Sequence, residues 1–228
     1  MKKSAQIAIL LLGGSATRFG GDTPKQLLPV NGKALFCYAL SALDSSPEID
    51  EIVLVIRKDL EGRVKEEVRY ASCSKPLHYV YSGASRSKSV EHAVSFLKEE
   101  GFEDDSIILI QDADRPHLDE KMIEEGIAKA KRIGASVTAV PCSDSVFVSL
   151  DKESVSSYQP RETTFLAQTP QTFRFSLLKK LTFAEISTDE ASQVRALGEE
   201  VTIVRGNPNN YKINYPEDLE RFKKEVEK

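Results

Sequence analysis

The sequence has few cysteines, begins without a long apolar run and lacks any concentration of positive charge. Its three cysteines, Cys37, Cys73 and Cys142, are far apart and form no C-x-x-C pair. Neither a disulfide framework nor a zinc site is therefore predicted, and a reducing cytoplasm is the compartment that fits. The first apolar run, residues 7–12, is too short for a secretion signal or a membrane span, so we interpret it as a buried strand.

The charge balance also excludes some partners. The formal net charge is −4 and no stretch of the chain is rich in Lys and Arg, so binding to nucleic acid or to an anionic membrane is not expected. An anionic ligand would need a local basic pocket instead. The three histidines, His78, His92 and His117, show no metal-ligand spacing, and no metal site is predicted from them.

The sequence does contain an alternation of strand and helix patterns, which predicts a single domain over residues 1–228. Short apolar runs bounded by turn residues are typical of strands that are buried on both faces, and apolar residues near a period of 3.6 indicate the helices between them. The alternation predicts an α/β fold, in which a Rossmann-like, mostly parallel twisted sheet carries helices on both faces. The predicted strands are 7–12, 52–56, 77–81, 107–110, 137–140 and 201–204, and the predicted helices include 34–43, 60–70, 87–99, 120–133 and 216–228.

The alternation is interrupted between about residues 144 and 170. Residues 146–148 and 163–166 have the composition of strands, and a polar, Ser-rich stretch joins them. We therefore predict that this segment forms a β-arm that projects from the domain.

The first strand leads directly into a glycine-rich loop that carries two cations. Gly13 and Gly14 follow the strand, and Arg18 and Lys25 lie farther along the same loop. Open α/β sheets bind ligands at the carboxyl ends of their strands, where glycines let backbone N–H groups approach phosphate oxygens. Because the loop is neither G-x-x-x-x-G-K-[ST] nor G-x-G-x-x-G, the predicted phosphate site is neither a P-loop nor a dinucleotide site.

The loop L-L-G-G-S-A-T-R-F-G-G-D-T-P-K-Q at 11–26 resembles the nucleotide-binding signature of the 2-C-methyl-D-erythritol 4-phosphate cytidylyltransferase family, which acts in non-mevalonate isoprenoid synthesis. The resemblance implies a nucleotidyltransferase-like fold and the transfer of CMP from CTP to a small polyol phosphate, with release of pyrophosphate. Other stretches resemble the family in the same order along nearly the whole chain. They are S-G-A-S-R-S-K-S-V at 82–90, D-A-D-R-P at 112–116, P-R at 160–161, Q-T-P-Q at 168–171, T-D-E-A at 188–191 and N-Y-K-I at 210–213.

The resemblance implies four catalytic cations. Arg18 and Lys25 would stabilise charge on the α-phosphate and the leaving pyrophosphate, whereas Arg161 and Lys212 would hold the acceptor's phosphate. Because the family's arm reaches into a neighbouring subunit, Arg161 would act across a homodimer. Mg²⁺ would be the cofactor, held mainly by the CTP phosphates and by water, since this ion dehydrates reluctantly.

The resemblance also implies a set of substrate-binding residues. The nucleotide would contact the first loop and a second loop that follows the predicted strand 77–81. Asp112 is favoured for contact with substrate hydroxyls, while Arg115 could equally be an ion-pair partner of Asp112 or Asp114. The implied contacts are Leu12, Gly13, Gly14, Ser15, Ala16, Gly83 and Ser89 for the nucleotide, with Arg86 steadying the second loop. Asp144 and Ser145 are implied contacts of the acceptor, and Asp112, Arg115 and Thr188 are further implied substrate-binding residues.

Three alternatives stay open. A ribitol 5-phosphate cytidylyltransferase has the same loop and cations, although T-D-E-A and R-S-K-S-V favour the methylerythritol acceptor. A non-catalytic module that binds CTP or a partner protein is disfavoured because all the implied cations are retained together. A Rossmann dehydrogenase is disfavoured because no acidic residue follows a G-x-G-x-x-G loop at the required distance. The chain departs from the family pattern at Ala16, Ser82, Ala84, Gln111 and Asp114.

Overall fold

A computed structural model describes residues 4–14, 19, 23–183 and 189–227. Four residues implied at the site, Ser15, Ala16, Arg18 and Thr188, lie outside the described residues. The strands are β1 Gln6–Leu11, β2 Pro29–Val30, β3 Lys33–Ala34, β4 Glu51–Ile56, β5 Leu77–Tyr81, β6 Ile107–Asp112, β7 Ala135–Pro141, β8 Val146–Val148, β9 Ser157–Gln159, β10 Phe165–Arg174 and β11 Thr202–Arg205. The α-helices are α1 Phe36–Ser45, α2 Glu61–Ala71, α3 Arg86–Glu99, α4 Glu120–Ile133, α5 Phe175–Leu178, α6 Glu190–Ala196 and α7 Pro216–Val226.

Seven strands form one mostly parallel sheet, as the sequence predicts. Their order is β11-β7-β10-β6-β1-β4-β5. Only β10 among these described strands runs antiparallel, and it lies between β6 and β7. The other neighbours pair in parallel, so the carboxyl ends of β1, β4, β5, β6 and β7 meet at one rim of the sheet. That rim is where this architecture places ligand sites.

The sheet is covered by helices on both faces, because successive side chains of its strands point to opposite sides. In β1, Ala8 and Leu10 pack with α1, α2 and α4, whereas Ile7, Ile9 and Leu11 pack with α3, α5 and α6. The four residues Ile7 to Leu10 have no exposed surface. Each fully buried aliphatic side chain of the size of Leu or Ile contributes about 1.5–3 kcal/mol, so these two cores fix the position of the rim.

The arm differs from the prediction in its extent and its pairing. Strand β8 does not pair with residues 163–166 but with β9, a short and fully exposed strand inside the Ser-rich stretch. Residues 165 and 166, half of the second predicted arm strand, belong instead to β10, which returns into the main sheet beside β6 and β7. The projecting ribbon is therefore β8 and β9 alone. The polar composition of β9 gave no apolar signal because neither face of that strand is buried.

Helix α7 anchors the C-terminal segment to the domain. Its residues Leu219 and Phe222 pack with Ile213, Val30 and Leu35 in a third, smaller core. Asp218 accepts hydrogen bonds from the N–H groups of Asn214 and Tyr215, which caps the helix. These contacts hold the stretch 210–215 against the sheet's rim. In the part of the chain that the structure describes, no helix combines the length and apolarity of a transmembrane span.

Candidate active site

Two loops meet at the carboxyl ends of β1 and β5. A Cβ atom added to Gly13 would lie 2.4 Å from the Cβ of Ser82, so the Gly13 backbone lies closer to the Ser82 side chain than any other residue could. Gln26 braces the first loop by donating from Nε2 to the carbonyls of Leu12 at 3.2 Å and Gly14 at 3.0 Å. This role of Gln26 depends on the folded shape of the loop, so it could not be predicted from the sequence motif alone.

The second loop is tied to the start of helix α3. Ser85 caps the helix by accepting from the N–H of Lys88 at 3.2 Å. Ser89 donates to the carbonyl of Ser85 at 2.8 Å and accepts from the N–H of Gly83 at 3.1 Å. The loop is therefore fixed with the N-terminal end of α3 facing the cleft, where backbone N–H groups and the helix dipole favour anions.

A buried network of charged side chains lies across the rim from these loops. Asp112, at the end of β6, accepts from Arg86 Nε at 3.1 Å on one oxygen and from Lys212 Nζ at 2.7 Å on the other. Arg86 Nη1 also donates to both carboxylate oxygens of Glu190, at 2.9 and 2.7 Å, and Glu190 has no exposed surface. Three segments more than 25 residues apart in the chain are thus joined at one carboxylate.

The direction in which each pKa is shifted from its usual value follows from these ion pairs and from burial. Burial would raise the pKa of Asp112, but Arg86 and Lys212 outweigh it and hold that pKa well below its usual range. Burial would lower the pKa of Arg86 and of Lys212, yet their acidic neighbours raise both pKa values. Burial raises the pKa of Glu190 against the opposing effect of Arg86. Both cations and Asp112 therefore stay charged at neutral pH.

Lys25 belongs to a second ion pair behind this network. Its Nζ atom lies 2.6 Å from Asp114 Oδ2 and donates to the carbonyl of Ile213 at 2.6 Å. The Lys25 residue is only 7% exposed. Lys212 Nζ lies 3.6 Å from the other oxygen of Asp114. The sequence analysis named Asp114 only as a possible ion-pair partner of Arg115 and as a departure from the family pattern, and did not assign it to the site.

The two loops and the network enclose a cleft of about 290 Å³. Its walls combine backbone from the glycine loops with charged groups from the network, so the cleft offers both N–H donors and cations to an anionic ligand. Seven of the residues implied by the sequence line it: Gly13, Gly14, Gly83, Arg86, Ser89, Asp112 and Lys212. The sequence analysis did not assign Leu11, Gln26, Ala84, Ser85 and Asp114, which also line it.

Other implied residues lie apart from this cleft. Arg115 lines an adjoining pocket of about 270 Å³ together with Arg86, Asp112 and Lys212, which makes that pocket continuous with the network. The Arg115 guanidinium donates to the carbonyl of Asn210 at 2.8 Å rather than forming a hydrogen bond with Asp112 or Asp114. Burial lowers the pKa of Arg115. Leu12 is buried and contributes its backbone to the first loop.

The implied arm residues lie on the exposed ribbon and its base. Arg161 begins a single 3-10 turn, Arg161–Thr163, and it is exposed. Asp144 and Ser145 are also exposed, at the point where the chain enters the ribbon. None of these three lines the cleft of the same chain. Their roles in acceptor binding stay predictions.

The chain is similar over nearly its whole length to proteins of one enzyme family. The sequence model described as "IspD: 2-C-methyl-D-erythritol 4-phosphate cytidylyltransferase" matches residues 6–227. An enzyme of that name from Thermotoga neapolitana is 39% identical over 215 residues, which cover 94% of this chain and 93% of the relative. A ribitol-5-phosphate cytidylyltransferase from Lacticaseibacillus paracasei is 30% identical and covers 95% of both chains.

A solved structure shares the fold. The crystal structure of 4-diphosphocytidyl-2C-methyl-D-erythritol synthase from Anaerococcus prevotii superposes with a TM-score of 0.81 at 25% identity. The superposition covers 99% of this chain and 97% of that one.

Proposed function

The chain belongs to the 2-C-methyl-D-erythritol 4-phosphate cytidylyltransferase family, and on that premise we propose that it transfers CMP from CTP to 2-C-methyl-D-erythritol 4-phosphate during isoprenoid synthesis. The observation that carries the proposal is the meeting of two backbone loops with the Arg86–Asp112–Lys212 network in one cleft. Backbone groups there suit a nucleotide, and the cations suit the phosphates of two substrates.

The reaction joins two anions and requires no general base. A phosphate monoester has its second pKa near 6, so the acceptor's phosphate is already largely dianionic at neutral pH. One of its oxygens attacks the α-phosphorus of CTP and forms the new P–O bond. The bond from the α-phosphorus to the bridging oxygen breaks, and pyrophosphate leaves with that electron pair. What the protein supplies is therefore position and positive charge.

The cations divide between the two substrates. We assign Lys25, together with Arg18 outside the described residues, to the α-phosphate and the leaving pyrophosphate. We assign Lys212 to the acceptor's phosphate, since it lines both the cleft and the adjoining pocket that holds Arg115. Asp112 orients Lys212 and Arg86 and can also accept from a substrate hydroxyl. Losing one pre-placed donor to developing charge costs roughly 10² to 10³ in rate.

A Mg²⁺ ion that is bound to the CTP phosphates fits this site. Among the described residues no group of three or more His, Cys, Asp and Glu side chains could enclose a metal. Both oxygens of Asp112 and one of Asp114 are already taken by cations. The phosphates and water would thus supply most of its ligands. Bound Mg²⁺ would neutralise charge on the triphosphate.

We also infer a homodimer and a cytoplasmic location. The ribbon of β8 and β9 exposes apolar side chains, including Phe147, Val148 and Tyr158, and apolar surface of this kind is typical of a protein contact. A second copy would cover the ribbon and receive Arg161. Cys37, Cys73 and Cys142 are all free thiols, as expected in a reducing compartment.

The acceptor is tested by comparing two candidate substrates. Pyrophosphate release from CTP is measured with 2-C-methyl-D-erythritol 4-phosphate and, separately, with ribitol 5-phosphate, which the relative from Lacticaseibacillus paracasei brings into question. We expect a higher kcat/KM for the methylerythritol substrate. A preference for ribitol 5-phosphate would replace the proposed acceptor, and no release with either would favour a non-catalytic nucleotide-binding module.

The division of cations predicts different defects for two substitutions. Lys25→Ala should lower kcat by roughly 10² or more with a smaller effect on the KM for CTP, because Lys25 acts on charge that develops during transfer. Lys212→Ala should raise the KM for the acceptor. Steady-state kinetics with each substrate varied measures both effects. Lys65→Ala, which removes a surface ion pair with Glu61, is the matched control. Near wild-type kcat in Lys25→Ala, or an unchanged acceptor KM in Lys212→Ala, would refute the assignment.

A further inference from the structure

We propose that Asp114 is a positioning residue that fixes Lys25 for catalysis. The inference rests on the proposed function, since it concerns the lysine that acts on the transferred phosphate. Asp114 is 8% exposed and its carboxylate lies 2.6 Å from Lys25 Nζ. Nothing in the site's chemistry requires an acid at this point unless the acid acts on its neighbours.

The two partners of Lys25 determine where its remaining donor points. A lysine ammonium sits on a flexible stem and carries three N–H donors. Two are engaged here, one by Asp114 and one by the carbonyl of Ile213. Tetrahedral geometry then sets the direction of the third. Without Asp114, the ammonium would keep only the Ile213 carbonyl and could rotate about it.

Asp114 also joins Lys25 to the segment that carries Lys212. The backbone carbonyl of Asp114 accepts from the N–H of Ile213 at 2.9 Å, while the Ile213 carbonyl accepts from Lys25. The second carboxylate oxygen of Asp114 lies 3.6 Å from Lys212 Nζ. One side chain therefore contacts two cations that serve different substrates. It sets the distance between them.

The position of the Asp114 carboxylate distinguishes a role in positioning Lys25 from a role in binding CTP. Asp114 lines the cleft, whereas Lys25, whose Nζ lies 2.6 Å from the Asp114 carboxylate, is not among the lining residues. A negative charge on that wall opposes an anionic triphosphate, so Asp114 cannot improve the ground-state affinity for CTP by direct contact. Its benefit must therefore appear in kcat. A loss of kcat without a rise in the KM for CTP is the signature of this role.

The test is a double-mutant cycle with Lys25. Asp114→Asn keeps the side chain's size and an acceptor oxygen but removes the charge. We expect kcat to fall roughly tenfold to a hundredfold with the KM for CTP unchanged or lower. In a Lys25→Ala background, Asp114→Asn should lower kcat by less than about twofold, because its effect passes through the lysine.

Further variants keep the test decisive if Asp114→Asn folds poorly. Asp114→Glu retains the charge on a longer stem, so we expect a kcat between those of wild type and Asp114→Asn, and the same absence of effect in the Lys25→Ala background. Asp44→Asn is the matched control. It removes an acid that accepts from Cys73 and Ser74 and does not line the cleft, and it should leave kcat unchanged.

The outcomes separate this proposal from the proposed function. Wild-type protein that releases no pyrophosphate from CTP with any acceptor would overturn both. Active wild-type protein with an unchanged kcat in Asp114→Asn would overturn the positioning role alone. So would additive losses in the cycle, or a raised KM for CTP as the main defect.

Discussion

At the scale of single residues, Asp112 is the group on which the site's cations depend. Its two oxygens bind Arg86 and Lys212 from opposite sides, and Arg86 continues to Glu190. The sequence distances between these partners are large, so the pairs form only when the whole sheet has folded. A carboxylate held between two cations remains ionised through the physiological pH range, which keeps both cations in place for anionic substrates.

Substitution of Asp112 predicts a stability defect that depends on pH. Because the pKa of Asp112 is lowered in the folded protein, its ionised form stabilises the fold. That contribution is complete above the ordinary Asp pKa of about 3.9 and is lost as the pH falls through the lower folded-state pKa. Asp112→Asn should therefore cost roughly 3 kcal/mol of unfolding free energy at pH 7, and the difference from wild type should narrow toward pH 3.

Urea unfolding of both proteins at pH 7 and pH 3 measures this difference. Asp105→Asn removes an exposed acid and is the control for the change in net charge alone. If the difference in unfolding free energy between wild type and Asp112→Asn stays constant or increases toward pH 3, the prediction is contradicted.

The site residues that were identified from the sequence all lie in local sequence motifs. Gly13, Gly83 and Lys212 lie in loops whose glycines or flanking residues mark them. Glu190 illustrates why other site residues were not identified. It lies in a stretch that resembles the family, but its role comes from a hydrogen bond with Arg86, 104 residues away. Sequence spacing carries no signal for such a pair, because the sheet's strand order brings the two together.

At the scale of elements, helices α3 and α4 are each capped at the N-terminus by a side-chain oxygen. Ser85 caps α3 beside the loop that carries Gly83, and Asp119 caps α4 by accepting from the N–H of Met122 at 3.0 Å. Both helices pack on the sheet through buried apolar faces. Only the cap of α3 is also tied to Gly83 through Ser89. Loss of the two caps should therefore affect function differently.

The pair Ser85→Ala and Asp119→Ala tests this difference. Each removes an N-cap acceptor and should cost about 1 kcal/mol of stability, measured by urea unfolding. Ser85→Ala should also raise the KM for CTP, because the loop that carries Gly83 loses an anchor. Asp119→Ala should leave that KM unchanged. Equal KM values in the two variants would show that the cap has no part in holding the nucleotide loop.

Elements with both a local period and clear ends were predicted well. Helix α4 was predicted at residues 120–133 and found at Glu120–Ile133, since Asp119 begins it and Gly134, at a φ of 116°, ends it. The strand β10 was not recognised as part of the main sheet. Its antiparallel place between β6 and β7 depends on contacts with strands far earlier in the chain. Local composition cannot report those contacts.

At the scale of the whole molecule, the chain's ends and middle converge at the rim. Lys25, near the start, bonds to Ile213, which is 188 residues later. By contrast the ribbon of β8 and β9 points its apolar side chains outward, and Arg161 at its base does not line the cleft of its own chain. A site that needs Arg161 would therefore be completed by a second subunit.

Mixing two variants that each lose a contact to the acceptor's phosphate tests whether subunits share a site, with activity measured at an acceptor concentration where each variant alone is nearly inactive. One chain carries Arg161→Ala and the other Lys212→Ala, and the two are refolded together. If the arm acts in the partner, a heterodimer contains one site with both defects and one with neither, so random pairing should restore about one site in four. Pyrophosphate release measures the recovery. A mixture of Lys25→Ala and Lys212→Ala is the control, because both residues lie in the body of the domain and no pairing restores a site. If Arg161 acts within its own chain, the first mixture should be as inactive as the control.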